Sequence, residues 1–90
     1  MNSGKICRVA LEKWGAQKQT TKLFEEMAEL QKELCKNTFG SDNQDQIAEE
    51  IADVTIMLEQ MILLHDCEQK VIAWRKYKLT RLLDRIKNKE

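Results

Sequence analysis

Two octets decide how this chain reads: Leu23-Phe24-Glu25-Glu26-Met27-Ala28-Glu29-Leu30 and Ile47-Ala48-Glu49-Glu50-Ile51-Ala52-Asp53-Val54. They match position by position, apolar against apolar and carboxylate against carboxylate, except at Phe24/Ala48. At about 100° per residue, Leu23, Met27 and Leu30 form one helical stripe, flanked on one side by Glu26 and Glu29, with Glu25 on the far side. The second octet repeats the construction. Glu50 and Asp53 flank the stripe of Ile47, Ile51 and Val54, and Glu49 points away. If the two stripes pack together, four carboxylates converge at the edge of a core. They must then raise one another's pKa or take a counter-ion, and a hard divalent cation that prefers oxygen ligands, Mg²⁺ before Ca²⁺ or Mn²⁺, suits them. A lone E-x-x-E is usually a solvated helix face; duplication beside a core stripe both times sets this one apart.

Outward from the octets the pattern is helical throughout. The chain has no proline, and its three glycines stand at positions 4, 15 and 40, so the intervals between them lack strong breakers. Four helices follow, and the fold class is all-α. The first spans Ser3 to Trp14, with Ile6, Val9, Ala10 and the Lys13 stem on one side, and Gly15 suits a C-cap or bend. The second starts near Thr20 or Thr21, extends its stripe to Leu34 and ends near Lys36. Asn37 to Gln44 (NTFGSDNQ) is the main loop, and Ser41 or Asp42 can cap the next helix. The third helix carries Ile47, Ile51, Val54, Leu58 and Met61 on one stripe and Ile56 and Leu63 opposite, so it needs cover on two sides. Asp66 with Gln69 resembles a capping box that separates a fourth helix, running to about Lys87; a continuous or kinked helix is the alternative.

Ninety residues fit one domain, 1–90, small enough that self-association into a homodimer or a dimer of dimers is expected. The 15 basic and 15 acidic residues cancel, which argues against nucleic acid and membrane surfaces as partners. Cys7, Cys35 and Cys67 form no C-x-x-C pair and no secretory leader precedes them, so they read as reduced, semi-buried thiols of a soluble cytoplasmic protein. No apolar run approaches the roughly 20 residues of a membrane span. A di-iron or di-manganese bundle wants Glu-x-x-His, whereas the single histidine, His65, lies three residues after Ile62.

Glu25-Glu26-x-x-Glu29, a spacer, then Glu50-x-x-Asp53, preceded by Trp14-Gly15-x-Gln17, resembles the MazG-like branch of the all-α nucleoside triphosphate pyrophosphohydrolases. Ala52-Asp53-Val54 and Lys78-x-x-Arg81-Leu82 add to the likeness, which covers about positions 14 to 86. The resemblance implies a four-helix MazG-like bundle completed by homo-oligomerisation. It also implies Mg²⁺-dependent cleavage of an NTP or dNTP between the α- and β-phosphates, with Mn²⁺ as a substitute metal, as house-cleaning of the nucleotide pool. On that likeness Glu26, Glu29, Glu50 and Asp53 are the metal ligands, and Glu29 or Glu25 orients or deprotonates the attacking water. Lys78 and Arg81, beside the apolar face of Val71, Leu79, Leu82 and Ile86, are the expected phosphate clamp, because a triphosphate needs more cation than Mg²⁺ alone. Lys18 and Lys22 are further substrate-binding candidates; Arg85 reads as a solvated basic residue. Trp14 can stack on a base, whereas Trp74 reads as a core or interface residue.

Two other readings compete. One is a catalytically silent member that binds nucleotide or metal as a regulatory or assembly module. The other is a plain helical interaction domain whose acidic flanks keep it soluble.

Overall fold

The computed structural model describes residues 1–88, so the last two positions of the 1–90 domain expected from sequence lie outside the described residues. It is all-helical, in the order α1 (Ser3–Trp14), α2 (Ala16–Thr38), α3 (Gln44–Leu64) and α4 (Glu68–Lys87). α2 and α3 pack as an antiparallel pair, α1 lies mainly on α3, and α4 meets only α3, and that sparsely.

Asn2 caps α1 by accepting from the Lys5 amide at 2.9 Å. The buried residue of α1 is Cys7, not the expected Ile6 and Val9, which are half exposed. The Cys7 thiol points at the Ile56 carbonyl at 3.9 Å, and Ser3 donates to Glu59 at 2.9 Å. These contacts lay α1 over part of the second face of α3, where Leu63 is half-buried and Ile56 stays half exposed. Of the three thiols, all free, Cys35 is exposed rather than semi-buried.

α2 begins at Ala16, a turn earlier than Thr20 or Thr21 would place it. Gly15, at φ 88° and ψ 160°, ends α1 and starts α2 in one step, a conformation essentially restricted to glycine. The two threonines are interior, their hydroxyls donating back to the Ala16 and Gln17 carbonyls. At the other loop neither Ser41 nor Asp42 caps α3. The cap position is Asn43, whose side chain is used elsewhere: it donates to the Glu33 carbonyl and carboxylate, both at 2.9 Å. Between α3 and α4 the break is real, but Asp66 makes it by adopting φ 48°, not by capping; the cap position is Cys67.

The seam between α2 and α3 is rotated from the stripes read in the sequence. On α2 the inward residues are Gln19, Leu23, Glu26, Leu30 and Glu33, spaced alternately by four and three, while Met27 and Leu34 are half exposed. On α3 they are Ile47, Glu50, Asp53, Val54, Met57, Gln60, Met61 and Leu64, while Ile51 and Leu58 turn outward. The rotation is tolerated because two of the polar side chains it buries find each other: Gln19 donates to Gln60 at 2.7 Å. Glu33 is likewise satisfied by Asn43, with Lys36 at 3.3 Å. The displaced Met27 and Leu34, with Phe24 and the edges of the seam residues Leu30 and Val54, line an open apolar groove.

α4 stands apart. All its residues are exposed, including Ile72, Trp74, Tyr77, Leu82 and Ile86, so Trp74 is not a core residue of this chain. Its Trp74 and Tyr77 rings meet edge to face at 5.8 Å. The radius of gyration is 16.1 Å, against about 12 Å for a closed domain of this length. No helix of the described residues is long and apolar enough to cross a membrane.

Candidate metal centre

The rotation of the seam decides which acids meet. Taking about 100° per residue, the inward face of α2 is centred some 40° from Leu23 on the Glu26 side, which leaves Glu29 about 80° further round. The inward face of α3 is turned more strongly towards its acids, so both Glu50 and Asp53 face in. The result is a trio: Glu26, Glu50 and Asp53 each offer an oxygen, and the three oxygens lie within 4.8 Å of one another. Glu29 is left outside it, half exposed, with the Lys32 ammonium at 3.9 Å.

Electrostatics at the trio are unbalanced. Burial, then the Asp53 carboxyl beside it, pushes the Glu26 pKa up, against an opposing pull from Lys22. Glu50 is raised too, first by burial and then by the charges of Asp53, Glu26 and Glu29. Glu50 Oε2 is a buried oxygen without a hydrogen-bond partner among the described residues. A buried acceptor left unmatched costs free energy, so one so placed beside two further carboxylates fits a cation. The three oxygens are close enough for their side chains to converge on one hard dication.

Lys22, paired with Glu26, also lines an open groove of about 880 Å³ where α1 turns into α2. Trp14, Gln17, Lys18, Gln19, Lys22 and Glu25 line it, so three of the five expected substrate-binding residues, Trp14, Lys18 and Lys22, share one surface with Glu25, an expected handler of the attacking water. Trp14 is half exposed, with the Lys13 ammonium 5.2 Å from its ring. Lys22 reaches Glu26 at 3.4 Å and Glu25 at 3.8 Å.

Lys78 and Arg81 are not brought to this place within the chain. They lie on α4, which contacts neither α1 nor α2, and rest over the Trp74 and Tyr77 rings at 5.8 and 5.9 Å. The Gln19–Gln60 pair is the component that stripe counting missed. Its signal was present, since Gln19 stands four residues before Leu23 and seven before Glu26, on the face that is buried.

No family model, curated protein or solved structure matches the chain.

Proposed function

We propose that the chain is a Mg²⁺-dependent nucleoside triphosphate pyrophosphohydrolase of the MazG-like kind, cutting an NTP or dNTP into the monophosphate and pyrophosphate. The observation that carries the reading is the trio of Glu26, Glu50 and Asp53 with the unpartnered Glu50 oxygen, linked through Lys22 to a groove that offers an aromatic ring and two ammonium groups. Glu26, Glu50 and Asp53 would hold the cation, and Glu29, outside the trio beside Lys32, is left for the attacking water. Bound there, Mg²⁺ supplies charge neutralisation at phosphoryl oxygens and a more acidic water.

The chain's own residues do the rest. Trp14 stacks on the base, and Lys18 and Lys22 hold the phosphate chain in the groove. Water adds to the α-phosphorus, the bond from that phosphorus to its bridging oxygen breaks, and pyrophosphate leaves with the oxygen. The proton goes to Glu25 or Glu29, the two acids outside the trio. Charge calls for a further cation: three carboxylates carry −3, and the triphosphate brings about −4 more. Since α4 stands clear of α1 and α2, Lys78 and Arg81 complete the site from a second copy whose α4 packs its apolar face on this one.

The test is a product screen over canonical and damaged NTPs and dNTPs with Mg²⁺ or Mn²⁺. The expected result is monophosphate and pyrophosphate in equal amounts, abolished by a chelator. Absence of turnover across the panel together with Mg²⁺-linked nucleotide binding would instead identify a catalytically silent binding module.

A further inference from the structure

We propose that Lys22 is the resident counter-ion of the acidic trio and changes partner when the site fills. Its ammonium holds Glu26 while no divalent cation is bound, then swings to the phosphate chain of the nucleotide once a cation has taken Glu26 over. The inference rests on the reading of Glu26, Glu50 and Asp53 as cation ligands.

Its position carries the argument. Lys22 lies one turn before Glu26 on α2, with its ammonium 3.4 Å from Glu26 Oε1, and among the described residues it is the one cation ion-paired with any of the three acids. The same side chain lines the groove. It is therefore shared between the place where the cation binds and the place where the phosphates lie. Half of its surface is exposed, while the Glu26 side chain is only 13 % exposed, so the lysine is the partner free to move. A lysine is a compact charge on a flexible four-carbon stem, suited to such an exchange, whereas a fork-shaped guanidinium is committed to one geometry. A dication on the Glu26 carboxylate repels an ammonium at that distance, and the incoming phosphate oxygens offer it a new acceptor. Lys18 lines the groove but pairs with none of the trio among the described residues, so it has no such double role.

Two constants separate the two duties. Mg²⁺ is titrated calorimetrically, without nucleotide, into wild type, Lys22→Met, Lys22→Gln and Lys22→Arg at fixed ionic strength, and the nucleotide KM is measured for each. Removing the competing charge should tighten Mg²⁺ binding roughly two- to fivefold, the range of an exposed ion pair. The same two variants should raise KM by roughly tenfold or more, as for loss of a hydrogen bond to a charged group. Lys22→Arg should keep wild-type Mg²⁺ affinity. Unchanged or weaker Mg²⁺ binding in both neutral variants, with binding intact in wild type, overturns the exchange and leaves the reading of the acids standing. Failure of wild type to bind Mg²⁺ at all removes the reading of the acids, and the exchange with it.

Discussion

At the scale of single residues, the chemistry turns on a carboxylate buried without a partner. Glu26 and Glu50 hold their protons to higher pH in the folded chain than at their ordinary value of 4.5. The stability each contributes is full below that ordinary range and is lost as pH rises through the raised pKa. Glu33 has the opposite sign: its amide partner Asn43 lowers its pKa, so its contribution is present above the ordinary range and is lost as pH falls through the lowered value. Without metal, Glu50→Gln should therefore melt higher than wild type at neutral pH, with the gap closing as pH falls below the raised pKa of Glu50. Thermal melts of both proteins across pH 4 to 8 check this; a gap that does not depend on pH contradicts it. The acids themselves were legible in the sequence, because duplication marks them. Their partition was not. Glu29 and Asp53 occupy equivalent places in the two octets, and only the unequal rotation of α2 and α3 leaves one outside and brings the other in.

At the scale of elements, helix identity was easy to read and helix ends were not, because the ends depend on single backbone conformations. Ser3–Trp14 was bounded correctly, since its last residue adjoins a glycine. α2 starts a turn before Thr20 and Thr21, which resemble caps in sequence but bond their hydroxyls within the helix. The break at Asp66 needs a left-handed residue that no glycine announces. Gly15 joins α1 to α2 where Trp14, Lys18 and Lys22 line one groove, so it shapes the groove as well as the turn. A Cβ there meets nothing within 4 Å, but φ 88° disfavours any other residue. Gly15→Ala should cost about 1–3 kcal/mol of stability through backbone strain alone. Denaturant unfolding checks it, and wild-type stability would show that the turn relaxes freely.

At the scale of the whole molecule, apolar surface is left open: every residue of α4 is exposed, and an apolar groove runs along α2 beside Val54 of α3. The sequence puts the second apolar face of α3 at Ile56 and Leu63, and α1 covers part of it; the apolar surface left open lies instead on α4 and along α2, which no stripe count within one chain distinguishes from a core face. We expect a homodimer or dimer of dimers by light scattering at micromolar concentration, with α4 of one copy seated on another. Arg81→Ala should lose about 2–4 kcal/mol of transition-state binding, the cost of one preorganised donor at an anion site. Mixing Arg81→Ala with Glu50→Gln, each impaired alone, should raise activity above the sum of the two if sites are built across copies. All of this depends on the trio being a cation site. Calorimetric titration of Mg²⁺ into the wild-type protein and Glu50→Gln is the most direct test of that claim. Saturable binding to wild type that Glu50→Gln abolishes is the predicted result, and equal binding by both proteins, or none by either, would contradict it.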